Sequence, residues 1–267
     1  MMASNPRQNL GQTLGAIAVG IAAIVGIGVL QKPRLEQLSN RALRTDAEMQ
    51  AEVSTQAQQL ALLQRSPAFG YDNLLADWAF LNFIQYFGDD DARQVTGYSL
   101  SPEFFEITTQ RDPFFLDPYF FLSVSTSLYA GMPERAVNLM NQGLSQMTPT
   151  MPADSFYLWR QKGIDEILFL GDAKQAEQSF RTAADWARQS GVAGSEEVAL
   201  VSEQTAAFLA NDPDSTKAQI GAWMMVLSTS PDSRVRQTAL IRIEALGGKI
   251  IQEPNGSIAV QLPENAT

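Results

Sequence analysis

From residue 66 onward, apolar side chains recur at helical spacing, and glycine or proline breaks the pattern at intervals of about one helix length. The pattern predicts helices over 72–87, 102–110, 119–130, 133–147, 154–170, 173–189, 195–210, 215–228 and 232–246. Gly88 with Asp89-Asp90-Asp91, Asp112-Pro113, Gly131, Pro149, Gly171 and Gly191 mark the ends, because each sits where a helix must stop or start. The acidic run 89–91 reads as a solvated helix-end loop, since it lacks the alternating spacing and the glycine of a dedicated calcium loop. Beyond Gly247-Gly248, two short apolar runs flank Pro254-Asn255-Gly256 and predict a small β-hairpin that leans on the last helix.

Upstream the pattern changes. No charge lies between Arg7 and Lys32, and residues 14–30 carry no polar side chain. A helix over residues 10–30 would measure roughly 31 Å, the thickness of a bilayer's hydrocarbon core, and it is apolar all round. The expectation is a single transmembrane anchor, with a cleaved signal peptide ending near Gly26-Ile27-Gly28 as the alternative. Small residues four apart (Gly11/Gly15, Ala16/Gly20, Ala22/Gly26) have the spacing at which two membrane helices self-associate. Lys32, Arg34, Arg41 and Arg44 outnumber Arg7, which places the main domain on the cytoplasmic side of the membrane. Residues 34–64 then form a stalk helix that packs on the main domain; Ser39, Asp46 and Gln56 interrupt its apolar seam too often for a coiled coil. The expected organisation is a tail and anchor over 1–31, a stalk over 32–66, a helical repeat domain over 67–246 and a hairpin with tail over 247–267.

Two stretches match each other. Tyr129-Ala-Gly-Met-Pro-Glu-Arg-Ala136 and Phe169-Leu-Gly-Asp-Ala-Lys-Gln-Ala176 both set an aromatic two residues before a glycine and an alanine five after it. Ala136 and Ala176 would lie where the two helices of a hairpin cross, Met140 and Phe180 would fill the space between helices, and Gly143 and Ala183 would again permit close approach. Hairpins of this kind cannot bury their apolar faces alone and stack into a solenoid. Gly131, Ala136, Gly143-Leu144 and Pro149, and more fully Trp159, Gly163, Gly171, Ala176, Phe180 and Ala183, resemble units of tetratricopeptide-repeat (TPR) proteins. The 40-residue offset and the weak first and last units (72–113 and 195–231) depart from that family's pattern. The aromatic- and Gln-rich texture of 72–190 is also similar to membrane-anchored TPR-like proteins of cyanobacteria, which would imply a thylakoid membrane. The fold class expected is therefore all-α: an N-terminal transmembrane helix, a TPR-like helical-hairpin solenoid and a small C-terminal β-hairpin.

Composition narrows the chemistry. The net charge is −10, with −12 on residues 66–267 and +2 before them, and the acidic main domain opposes nucleic-acid binding and suits basic partner surfaces. There is no cysteine and no histidine, so thiolate chemistry, zinc–cysteine sites and the commonest general base are absent. Asp165-Glu166 with Glu177 and Asp185 do not make a catalytic carboxylate pair, because adjacent helical residues point to different sides. No cofactor or metal is expected, and no enzyme activity. In TPR-like stacks the first helix of each unit lines the concave face, and the resemblance assigns that groove to Trp78, Asn82, Gln85 and Tyr86, to Phe121, Ser125 and Tyr129, and to Gln161, Asp165 and Phe169. Aromatics interleaved with amides can grip a peptide segment or helix. The expectation is a membrane-tethered protein-binding adaptor or assembly factor; the alternative is a structural subunit buried permanently in a larger membrane complex.

Overall fold

The computed structural model describes residues 20, 25–29, 44–211, 213–252 and 258–263. The chain divides into two units, Met1–Glu48 and Met49–Thr267. In the first, residues 25–29 are helical, and Thr45 and Glu48 form a reciprocal cap (Thr45 Oγ1 to Glu48 Oε2, 2.9 Å; Glu48 N to Thr45 Oγ1, 3.3 Å) that starts helix α1, Asp46–Arg65. The expected transmembrane helix is corrected here. Among the described residues no helix is long and apolar enough to cross a membrane, because residues 25–29 give only a fraction of the roughly 20 needed and the long α1 is polar. The rest of the 10–30 segment, and residues 34–43 of the stalk, lie outside the described residues.

The second unit is helical apart from one two-stranded sheet. Its elements are α2 (Asp72–Phe87), α3 (Asp90–Thr96), α4 (Ser101–Arg111), α5 (Asp117–Leu122), α6 (Pro133–Leu144), α7 (Phe156–Asp165), α8 (Ala173–Ser190), α9 (Ser195–Asn211), α10 (Thr216–Thr229) and α11 (Ser233–Ala245). The acidic run is not a loop: Asp89 accepts from Ala92 N and caps the short α3. Helices α5 and α7 do not stop at their last α-turn. Each continues with wider, π-type hydrogen bonding, over Ser123–Tyr129 (π1) and Glu166–Leu170 (π2), before its glycine turn.

Chain neighbours pack on one another from α2 to α9. α2 lies on α4, π1 on α6, α7 on α8 and α8 on α9. The core joins Phe83, Tyr86, Phe104, Phe105, Ile107, Tyr119, Leu122 and Met140, and Val53, Ala57, Leu60 and Leu63 of α1 pack against it. The small residues sit where the helices approach most closely. Ala136 and Ala176 are fully buried. A Cβ at Gly143 would collide with the Tyr119 hydroxyl, and one at Gly163 would meet the Phe180 ring at 3.0 Å.

The C-terminal helices depart from a simple stack. The pattern pairs 195–210 with 215–228 as a last unit, whereas α10 turns back to lie on π1 and π2 and pairs with α11. Trp223, Ile220, Val226, Val235, Ala239 and Ile243 close a second core against Phe169. The seat for this pair is made by the turns of the preceding hairpins. Gly131 and Gly171 have φ of +65° and +68°, where a side chain would be strained. A Cβ at Gly131 would also lie 3.0 Å from Val235, and one at Gly171 would clash with Gln219. Strands β1 (Lys249–Gln252) and β2 (Ile258–Gln261) then pair antiparallel, with Ile250 opposite Val260, and both side chains cover the α10–α11 core. The expected Pro254-Asn255-Gly256 turn lies outside the described residues.

Candidate functional site

Helix α2 is apolar nearly all round, and only one side of it finds a partner. Ala76, Ala79, Phe83 and Tyr86 face the core. On the other side Leu74, Trp78, Leu81 and Ile84 form a row at spacings of three and four, with Trp78 44% and Leu81 61% exposed. Phe121 of α5 meets Phe80 and Phe83 with ring centroids 5.6 and 6.1 Å apart, and it is itself exposed, as is Val124 one turn further on.

Val124 leads into a pocket of about 310 Å³. One wall is π1, with Val124 and Leu128; the second is the α7–π2 helix, with Ile164, Leu168 and Phe169. The third is α10, where Ala218, Gly221 and Ala222 are small and Met225 closes the rim. Two polar side chains, Ser123 and Asp165, complete the lining. Asp165 is fully buried, and its two oxygens accept from Ser123 Oγ at 2.6 Å and Ser127 Oγ at 2.5 Å. Gln161 Nε2 donates to Ser123 Oγ at 2.9 Å. Burial pushes the Asp165 carboxyl up to about 6; the donated hydrogen bonds offset only part of that.

Behind Asp165 lies a second buried polar group with its own charge balance. Lys162 Nζ is 2.6 Å from Glu166 Oε1 and donates to Ser179 Oγ at 2.8 Å, while Ser179 donates to the other Glu166 oxygen at 2.6 Å. The π-type turns help to set this geometry. Ala130 N reaches back to Ser125 O, Met132 N to Thr126 O and Asp172 N to Glu166 O, at 2.8–3.0 Å. These bonds close the helix ends at the Gly131 and Gly171 turns, next to the residues that line the pocket. Among the described residues no group of three or more acidic side chains is placed to hold a metal ion.

The ten residues assigned to the groove divide into three groups. Trp78, Gln85 and Phe121 are exposed on the open face. Asn82, Tyr129 and Gln161 are half-buried: the Asn82 amide donates to the Trp78 carbonyl at 2.7 Å, Tyr129 packs between Phe87 and Tyr98, and Gln161 serves Ser123. The other four are buried. Tyr86 is a core residue whose hydroxyl donates to Gly97 O and accepts from Leu100 N, both at 3.2 Å, beneath the Arg93 guanidinium. Ser125 donates to its own helix at Phe121 O, 2.8 Å, and faces inward. Phe169 stands edge-on to Trp223. These three are corrected from groove to core, whereas Asp165 is buried but lines the pocket.

Sequence reasoning missed Leu74, Leu81, Ile84, Val124, Leu128, Ile164, Leu168 and Met225. The pocket is lined by Val124 and Leu128 of π1 and by Ile164 and Leu168 of α7–π2, each one residue before the position assigned. The signal was present as apolar residues four apart, directly beside the polar ones that drew the assignment. Compared with protein-family profiles, with characterised proteins and with solved structures, the chain gives no match.

Proposed function

We propose that this chain is a non-catalytic protein-binding adaptor or assembly factor, TPR-like in its repeated hairpins, that holds an amphipathic partner segment along the open face of its first helices. The observations that carry this reading are the exposed apolar row Leu74–Trp78–Leu81–Ile84 on α2 and the exposed Phe121 and Val124 on α5 and π1, the latter lining a pocket. An apolar face of this extent, left open beside a well-filled core, suits a partner's apolar side chains. Large aromatics in such a row carry much of an interface's energy, about 2 kcal/mol or more each when buried. The net charge of −10 favours a partner whose flanking residues are basic. A catalytic reading has less support, because Ser123 and Ser127 donate to Asp165 and neither has a histidine beside it.

The test compares partner recovery from cells by the wild-type chain and by a Leu81→Asp, Val124→Asp double variant. Both sites are exposed, so helical content and thermal stability should be unchanged. Recovery of the proteins captured by wild type should fall roughly tenfold or more. Equal recovery by a folded double variant would refute the open face as the binding surface.

A further inference from the structure

From α2 to α9 chain neighbours cover one another, and α9 is where that succession stops, because α10 turns back onto π1 and π2. Ala199, Ser202, Ala206 and Leu209 of α9 face the preceding helices α7 and α8. On the opposite side Leu200, Val201, Ala207 and Phe208 are exposed, Phe208 at 62%. Gln204 lies between them, and Glu197 and Asn211 stand at the two ends. Val201, Gln204, Phe208 and Asn211 follow one another at three, four and three residues, the spacing of a seam that packs on another helix. The acidic groups beside the seam are drawn away from it: Arg188 of α8 pairs with Glu203 at 2.5 Å and lies 3.6 Å from Glu196. The end of a helical stack that faces water carries a polar outer surface, and this one does not.

We propose that this face pairs with the same face of a second copy of the chain, α9 against α9, antiparallel about a two-fold axis through Gln204. A two-fold contact requires a surface that complements itself, and this one does. Turning α9 end for end about Gln204 sets Leu200 against Phe208, Val201 against Ala207 and Glu197 against Asn211. Apolar side chains meet apolar ones, each glutamate meets an amide, and no carboxylate meets a carboxylate. Gln204 meets its own copy at the axis, where an amide both donates and accepts. An unlike partner would not need this symmetry. The second copy's α9 takes the place that a further repeat would occupy in the stack. One helix face buries less than the roughly 1,200–2,000 Å² of a stable interface, so the dimer is reversible and its population rises with concentration.

The chain has no cysteine, so single introduced cysteines report the pairing. Full-length Gln204→Cys, oxidised under native conditions, should form a disulfide-linked dimer, because residues at the axis come within disulfide reach. Leu200→Cys alone should not, since its two copies lie roughly 12 Å apart along the helices. Mixed with Phe208→Cys, it should give the mixed dimer. Lys174→Cys, exposed on α8, sets the level of chance collision. Independently, sedimentation equilibrium of the full-length chain should show a monomer–dimer equilibrium. Val201→Glu combined with Phe208→Glu should weaken it at least tenfold, and both sites are exposed, so the monomer's fold should be unaffected. Crosslinking of Gln204→Cys no greater than that of Lys174→Cys, or a dimer that the double glutamate variant leaves unweakened, would overturn the proposal. So would a ladder of higher oligomers, the mark of a head-to-tail contact that does not close.

Discussion

Replacing Asp165 by asparagine keeps the side chain's size and removes only its charge. The consequence follows from the shift of the carboxyl, from an ordinary 3.8 to about 6 in the folded chain. An acid whose folded value is raised makes the native state hold its proton while the unfolded chain has released it. Stability therefore falls as pH rises between about 3.8 and 6, and the loss is complete above that window. A shift of about two units corresponds to about 3 kcal/mol. Asparagine resembles the protonated acid, since its carbonyl oxygen accepts from one serine and its NH₂ donates to the other. Wild type and Asp165→Asn should thus match near pH 4, and the variant should exceed wild type by about 2–3 kcal/mol at pH 8. For a chain of this size that difference raises the melting temperature by roughly 5–10 °C. Urea unfolding of both proteins from pH 4 to 8 is the assay, and taking the difference at each pH removes every group except Asp165. A difference that does not change with pH, or a wild type that is the more stable at pH 8, would refute the buried-charge argument.

Three further outcomes test the packing. Ala176→Leu adds three heavy atoms at a fully buried position and should cost about 1–3 kcal/mol; an unchanged melting temperature would mean that α7 and α8 do not meet there. Gly143→Ala gains about 1 kcal/mol of helix propensity yet drives a Cβ into the Tyr119 hydroxyl, so it should destabilise, and adding Tyr119→Phe should restore part of the loss. Lys162→Met strands the buried Glu166 and should cost about 3–5 kcal/mol, most of it recovered by Glu166→Gln in the same chain; no recovery would mean that the ion pair is not what the substitution breaks.

Much of the helical unit is legible in the sequence, because local chemistry writes it. Gly131, Gly171 and Gly191 end helices as expected, and Ala136 and Ala176 are the buried small residues that the repeated pattern implies. The acidic run at 89–91 misleads for a local reason: charge reads as solvated loop, whereas Asp89 uses its carboxylate to cap a helix. The path of α10 is not local at all. Trp223 and Val235 look like the apolar positions of any further unit, and only their meeting with Phe169 and Gly131 shows that they fold back over the earlier turns. On α5–π1 and α7–π2, the residues that line the pocket stand one position before the residues expected there. Spacings of four from Phe121 reach Ser125 and Tyr129, but the π-type turns and the inward serine hydrogen bonds present Val124 and Leu128 instead. Asp165 is the converse case. A polar residue on a helix is ordinarily read as outward, and its burial beneath Ser123 and Ser127 depends on helix contacts that its neighbours in sequence do not reveal. The apolar 10–30 stretch has the pattern of a membrane span, but most of it lies outside the described residues, and among those no helix is both long and apolar enough to cross a membrane.

The central claim is that a partner lies along the open face of α2 and π1, and site-specific photo-crosslinking tests it most directly. A benzophenone side chain is placed in the full-length chain at Leu81, at Val124 and, on the exposed surface of α8 as a control, at Lys174. Irradiation in intact cells should give one discrete adduct shared by positions 81 and 124 and none from 174, with the crosslinked peptide carrying apolar residues at helical spacing. Adducts from position 174 alone, or no shared adduct from 81 and 124 in cells that hold the protein folded, would contradict the account.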